Sequence, residues 1–231
     1  MMATEEAWSP APVFEPGEAQ PTPWEDPELS GPTAFYRTLR DLLIRPEEFF
    51  QHLAGESRSH PLAFALIVAT IGTLCALFWA LLALGAGGLS PEDAAAGLAP
   101  AAGLGPGLLL ALMAGAPVLV LVKLGLGGLS WWGSVALAGA GRRFTPAWRI
   151  FCYAQGGLAL LIIPFFGPPL AVIGVLALLY IGAKQVYGLS NWASLGALAI
   201  FVSIQVALGM VILLGLLSAL AFLGFLLLLG G

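Results

Sequence analysis

Past residue 60 the chain is almost wholly apolar, and prolines, glycines and a few charges divide it into segments. Apolar runs of eighteen or more residues predict bilayer spans rather than the amphipathic helices of a water-soluble domain. Pro61 opens the first, residues 62–84. At about 1.5 Å per residue it reaches about 35 Å, more than a hydrocarbon core of about 30 Å. The second, residues 104–138, contains Pro106, Pro117, Lys123 and the glycine-rich stretch 125–128, and is expected to form one long, kinked helix. Trp131 and Trp132 near its end are expected at the membrane interface, where aromatic belts form. The third span is 147–166, closed by a turn over residues 164–169, and the fourth is 170–187. The uncharged run 192–231 is too long for one simple span and lacks a polar hairpin for two. It predicts a span at 193–214 and an apolar stretch, 215–231, that continues or folds back at Gly215 or Gly224. A sixth span stays open.

Ahead of residue 61 the pattern differs. Residues 1–33 alternate prolines (Pro10, Pro12, Pro16, Pro21, Pro23, Pro27, Pro32) with acids (Glu5, Glu6, Glu15, Glu18, Glu25, Asp26, Glu28). Such a segment buries too little apolar surface to offset its chain entropy and is expected to be a disordered tail. Trp8, Phe14 and Trp24 within it are candidate anchors for a partner. Residues 34–60 then show helical spacing: Phe35, Leu39, Leu42 and Leu43, then Pro46 with Glu47 and Glu48 in a new first turn, then Phe49, Phe50 and Leu53. Two short amphipathic helices in the headgroup region fit this pattern.

Composition agrees with the spans. Of 231 residues, 59% are hydrophobic and 10% charged, against about a quarter charged in a soluble domain. Mean hydropathy is +0.93. The net charge of -4 comes with no basic patch suited to nucleic acid. Cys75 and Cys152 fall in apolar segments, where a thiol behaves as a small hydrophobe. His52 and His60 lack the spacing of a zinc site. No metal, cofactor or catalytic residue is assigned. Nucleophile–base, P-loop and metalloprotease patterns are absent from the sequence, so the chain is expected not to be an enzyme.

The positive residues orient the bundle. With five spans, Arg37, Arg40, Arg45, Arg58, Arg142, Arg143, Arg149 and Lys184 fall on one side, and only Lys123 lies within a span. The positive-inside rule then puts the N-terminus in the cytoplasm. The Ala/Leu/Gly-rich composition points to a bacterial inner membrane.

Three motifs carry a family resemblance. Phe144-Thr145-Pro146-Ala147-Trp148-Arg149-Ile150-Phe151-Cys152-Tyr153-Ala154-Gln155 contains an R-x-x-x-Y-A run at the opening of the third span. Ile181-Gly182-Ala183-Lys184-Gln185-Val186-Tyr187-Gly188-Leu189-Ser190 ends the fourth. Leu43-Ile44-Arg45-Pro46-Glu47-Glu48-Phe49-Phe50 matches a P-x-x-F-F helix upstream. Together with the turn at Ile163-Pro164-Phe165-Phe166-Gly167, these resemble the Yip1 family over residues 35–210. The resemblance implies a five-span helical bundle with a cytoplasmic N-terminus. Eukaryotic relatives are associated with Rab-type GTPases and vesicle traffic, and bacterial-type members carry no assigned activity.

The expected fold is therefore all-α, a polytopic transmembrane bundle. Its expected role is a non-enzymatic membrane scaffold or adaptor, meeting the bilayer and cytoplasmic partners through the tail and N-terminal helices. The alternative is a small transporter or lipid-handling protein. Polar residues inside spans are functional candidates because hydrocarbon disfavours them. Lys123 is a candidate for a polar cavity or a lipid phosphate, with Gln155 and Gln205 as further intramembrane polar groups. Arg142, Arg143 and Arg149 are a candidate anionic-lipid site. Tyr153, one turn after Arg149 on the same face, and Lys184 complete the set.

Overall fold

The computed structural model describes residues 22–53, 60–86, 105–141 and 143–229. Among these the regular structure is entirely helical: α1 Gly31–Ile44, α2 Pro46–His52, α3 Pro61–Ala86, α4 Gly105–Leu137, α5 Phe144–Ala154, α6 Gly167–Tyr187 and α7 Asn191–Leu229. A 3-10 segment, Gln155–Ile162, extends α5. Three stretches are long and apolar enough to cross a membrane: Pro117–Leu137, Gly167–Tyr187 and Asn191–Gly215. The apolar stretch Pro61–Ala76 that opens α3 is shorter. The N-terminal tail up to residue 21, the first interhelical loop (residues 87–104) and Arg142 lie outside the described residues.

Local sequence explains most of the helix ends. Pro46 starts α2 where a missing N–H costs nothing, and Glu47 and Glu48 sit in its first turn against the positive end of the helix dipole. Gly188, at φ 63°, ends α6 in the left-handed conformation that glycine adopts without strain. Two residues after Gly188, the Ser190 hydroxyl accepts the Ala193 N–H at 3.3 Å, which caps α7. That helix then runs 39 residues without a reversal at Gly215 or Gly224. The continuation is what forms, in place of a fold-back at either glycine. Leu, Ala, Ile and Phe on both sides of each glycine keep the helix going, and neither turn chemistry nor a polar pair interrupts it.

The core is organised around α5 and its 3-10 extension, which lie between α3, α4 and α6. Glycines make the close approaches possible. A Cβ on Gly157 would stand 2.5 Å from the backbone nitrogen of Val175 in α6, and one on Gly72 of α3 would stand 2.8 Å from the Leu158 carbonyl. On α4, Gly127 and Gly128 make room for the rings of Phe151 and Trp148. Packing through small residues is the usual way apolar helices associate when water provides no driving force between them. The change from α to 3-10 geometry falls at Gln155-Gly156-Gly157. There the Gln155 N–H turns to the Cys152 carbonyl, and its side-chain Nε2 donates to the Phe151 carbonyl at 3.2 Å. Gln155 is thus a buried repair of the helix transition rather than part of a polar path.

Two expectations change. Trp131 is fully buried, edge-on to Phe201 at 5.7 Å, so it belongs to the core and not to an interfacial belt. Its neighbour Trp132 does sit on the rim, against Phe144. The disordered tail, expected through residue 33, gives way to ordered structure from Thr22. Residues 22–30 form a turn-rich strap, and α1 already begins at Gly31. The N-terminal helices also turn their apolar faces to the bundle. Leu42 and Phe50 are fully buried, Leu42 near Gly156 and Phe50 near Gly182.

Candidate functional site

The strap, α2 and α5 meet at one end of the bundle. Residues 22–25 make a tight turn closed by the Glu25 N–H to the Thr22 carbonyl at 2.8 Å. This turn sends Trp24 and Glu25 inward. The Trp24 ring lies edge-on to Phe35 and Phe64, and its Nε1 donates to the His60 carbonyl at 3.3 Å. Trp24, expected as an anchor for a partner, is thus an anchor to the chain's own bundle.

Glu25 reaches the face of α5 that carries Arg149 and Tyr153. Arg149 Nη2 donates to both carboxylate oxygens at 2.8 and 3.0 Å, and the Tyr153 hydroxyl donates to Oε1 at 2.7 Å. The Thr22 hydroxyl lies 3.3 Å from the Tyr153 oxygen, whose proton is already directed at Glu25, so Thr22 donates. Arg149 Nη1 donates to the Leu53 carbonyl at 2.9 Å. Leu53 caps α2, so the guanidinium also meets the negative end of that helix. The side chains of Arg149 and Glu25 are 8% and 1% exposed. Charges so far from water persist only where several hydrogen bonds hold them, as here.

The aromatic floor completes the site. Tyr153 packs edge-on against Phe49 at 5.1 Å and tilted against Phe64 at 5.5 Å. Behind them Ile150 and Phe50 close over Gly182 of α6, where a Cβ would stand 2.5 Å from Ile150. The arrangement acts as a lock: one carboxylate, one guanidinium and one phenol tie the strap, the end of α2 and the start of α5 together. Removing the phenol alone is informative. Tyr153→Phe is expected to lower unfolding stability by about 1.5–3 kcal/mol, the contribution of a hydrogen bond to a charged group, read from unfolding of the purified protein in mixed micelles.

Of the residues singled out in the sequence, the fold brings Arg149 and Tyr153 together. Lys123 stands exposed on the outward face of α4, opposite the inward positions Val120, Leu124 and Gly127. It does not line a cavity between helices. Arg143 and Lys184 are exposed, and the Arg143 carbonyl accepts the Tyr187 hydroxyl at 3.3 Å. Of the three arginines expected at an anionic-lipid site, Arg149 is buried and committed to Glu25, Arg143 is exposed, and Arg142 lies outside the described residues. Gln205 lies on α7 with its Nε2 buried and unpartnered among the described residues.

The residues missed are Glu25, Thr22 and the Leu53 carbonyl. Nothing local marks Glu25 among the other acids ahead of α1. The one usable signal was its neighbour Trp24, a large aromatic in an otherwise polar stretch. No protein-family model, curated protein or solved structure matches the chain.

Proposed function

We infer that the protein is a Yip1-like multi-pass membrane protein of five spans. It acts as a non-enzymatic scaffold or adaptor with its N-terminus in the cytoplasm. The observation that carries this reading is the meeting of all three motifs at one place. Phe49 and Phe50 of the P-x-x-F-F helix, Arg149 and Tyr153 of the R-x-x-x-Y-A run, and Gly182 of the I-G-x-K segment pack into a single cluster. Motifs that recur by chance along an apolar chain have no reason to pack together.

Helix lengths support five spans. To the three stretches already named, α3 adds 26 residues, about 39 Å at the α-helical rise. The third span in chain order combines 11 α-helical and 8 3-10 residues, about 32 Å together. The strap end of the bundle also carries Arg37, Arg40 and Arg45 on α1 and α2, Arg143 before α5, and Lys184 in the last turn of α6. Under the positive-inside rule this end faces the cytoplasm. An adaptor role suits a platform of this kind. The strap is preceded in sequence by the acidic segment that carries Trp8 and Phe14, the candidate anchors for a partner. The transporter alternative used Lys123 as a lining residue, and its outward position removes that support.

Accessibility of single cysteines in intact cells tests the reading, in a background without Cys75 and Cys152. Ala3→Cys and Thr145→Cys are expected to be protected from an impermeant maleimide, and Ala95→Cys, Phe166→Cys and Gly231→Cys labelled. Outside labelling of Ala3→Cys or Thr145→Cys overturns the orientation. For the adaptor role, deletion of residues 1–21 is the appropriate truncation, since longer ones remove Glu25, Leu42 and Phe50 from the core. Loss of crosslinked protein partners on that deletion is expected; an unchanged crosslinking pattern defeats the adaptor reading.

A further inference from the structure

The corner between α1 and α2 leaves a cleft of about 530 Å³ against the strap, within the size range of small-ligand sites. Its walls carry both signs of charge. Arg40 and Arg45 stand with Asp41 and Glu48, His52 lies beside them, and Ile44 adds an apolar edge. The ion pairs are partly open to solvent. Arg40–Asp41 is 2.8 Å with side chains 51% and 29% exposed, and Arg45–Glu48 is 3.5 Å with side chains 68% and 65% exposed. Pairs of this kind contribute little to stability. A ligand bringing its own phosphate and ammonium can therefore take over all four groups without stranding a charge.

His52 sharpens the chemistry. Its Nδ1 lies 2.7 Å from the Glu48 carbonyl oxygen, which only accepts. Nδ1 therefore carries the proton, and Nε2 of that tautomer is an acceptor. Two carboxylates and a ring nitrogen thus offer hydrogen-bond acceptors to a cation that can donate. Apolar side chains here are open to the surroundings: the lining Ile44 is 69% exposed, and on the same helix Tyr36 is 64% and Leu43 40% exposed. An apolar edge beside a charged surface is the pattern of a segment at the level of lipid headgroups.

We propose that this cleft binds the headgroup of a phospholipid bearing a primary ammonium, a phosphatidylethanolamine, with Arg40 and Arg45 on the phosphate and Asp41, Glu48 and His52 on the amine. The proposal rests on the membrane placement above. A choline headgroup has no N–H to donate. A phosphatidylglycerol brings a phosphate without a cation and leaves the two carboxylates facing it. The charge-balanced wall therefore selects the zwitterion that can donate.

Native mass spectrometry of the full-length chain in non-ionic detergent tests this, with phosphatidylethanolamine, phosphatidylcholine and phosphatidylglycerol of identical acyl chains. Phosphatidylethanolamine is expected to bind about tenfold tighter than the other two, the scale of hydrogen bonds between charged groups. Asp41→Asn with Glu48→Gln is expected to abolish the preference for phosphatidylethanolamine, with phosphatidylglycerol then bound at least as tightly, and Glu47→Gln, outside the cleft, to leave the preference intact. Equal affinities in the unaltered protein, or a preference that survives the double substitution, overturn the proposal. So does water-soluble glycerophosphoethanolamine displacing the lipid at equal concentration, since the site would then serve a free phosphoamine. A chain that stays in solution without detergent defeats the membrane reading and the cleft together. Equal lipid affinities in a detergent-dependent chain defeat the cleft alone.

Discussion

Arg149→Met is expected to lower the unfolding free energy by about 3–5 kcal/mol, the usual consequence of removing one partner from a buried ion pair. Most of that loss comes from what stays behind. Glu25, 1% exposed at its side chain, loses its counter-ion and two of the hydrogen bonds that hold it, and the Leu53 carbonyl loses its donor. A double substitution separates this from simple loss of packing. Glu25→Leu with Arg149→Met removes both charges at similar volume, and is expected to recover most of the stability, since a well-packed apolar pair does about as well as a buried ion pair. Unfolding in mixed micelles across the four proteins of the cycle gives the coupling energy. If the double variant is no more stable than Arg149→Met alone, the Glu25–Arg149 contact is not what fastens the strap.

The second large effect is expected from Gly157→Ala. A Cβ there would stand 2.5 Å from the Val175 nitrogen and 2.8 Å from the Gly174 carbonyl carbon. Both are backbone atoms of α6 and cannot rotate aside as a side-chain end can. The 3-10 segment and α6 must separate, at about 1–3 kcal/mol or more for overpacking of this kind. Gly133→Ala is the control. Nothing lies within 4 Å of that Cβ, and alanine in a helix interior is expected to stabilise by about 0.5–1 kcal/mol. A melting-temperature series of the two variants in one detergent checks both signs. Equal melting temperatures would mean that the glycine contact between the 3-10 segment and α6 does not limit packing.

The helices were legible because they depend on local information. Uniform apolar runs bounded by Pro61, the 164–169 turn and Gly188 mark α3, α6 and the start of α7 within a few residues. The Arg149–Tyr153 pairing on one helical face was also legible, since a four-residue spacing fixes it. The ordered strap was not. Proline and acid content predicts disorder by counting how little apolar surface a segment can bury on its own. That count misses a segment that sets one aromatic against Phe35 and Phe64 and sends one carboxylate to Arg149 and Tyr153, more than a hundred positions away. The orientation of Lys123 was hidden for a related reason. Its depth along α4 follows from sequence, but which way it faces depends on where α3, α5 and α7 pack.

Residue type and spacing alone therefore settled the helical class, the apolar stretches and the local caps, because helix propensity, turn chemistry and hydropathy act within a few residues of themselves. The partners of the charged groups were decided only in three dimensions. Arg149 has no acid within hydrogen-bonding reach on its own helix, and the carboxylate it needs arrives from the strap. Two like-looking arginines, Arg143 and Arg149, end in opposite environments, one exposed and one locked. The difference lies in the packing of α2 and the strap against α5, a long-range fit that no short window of sequence contains.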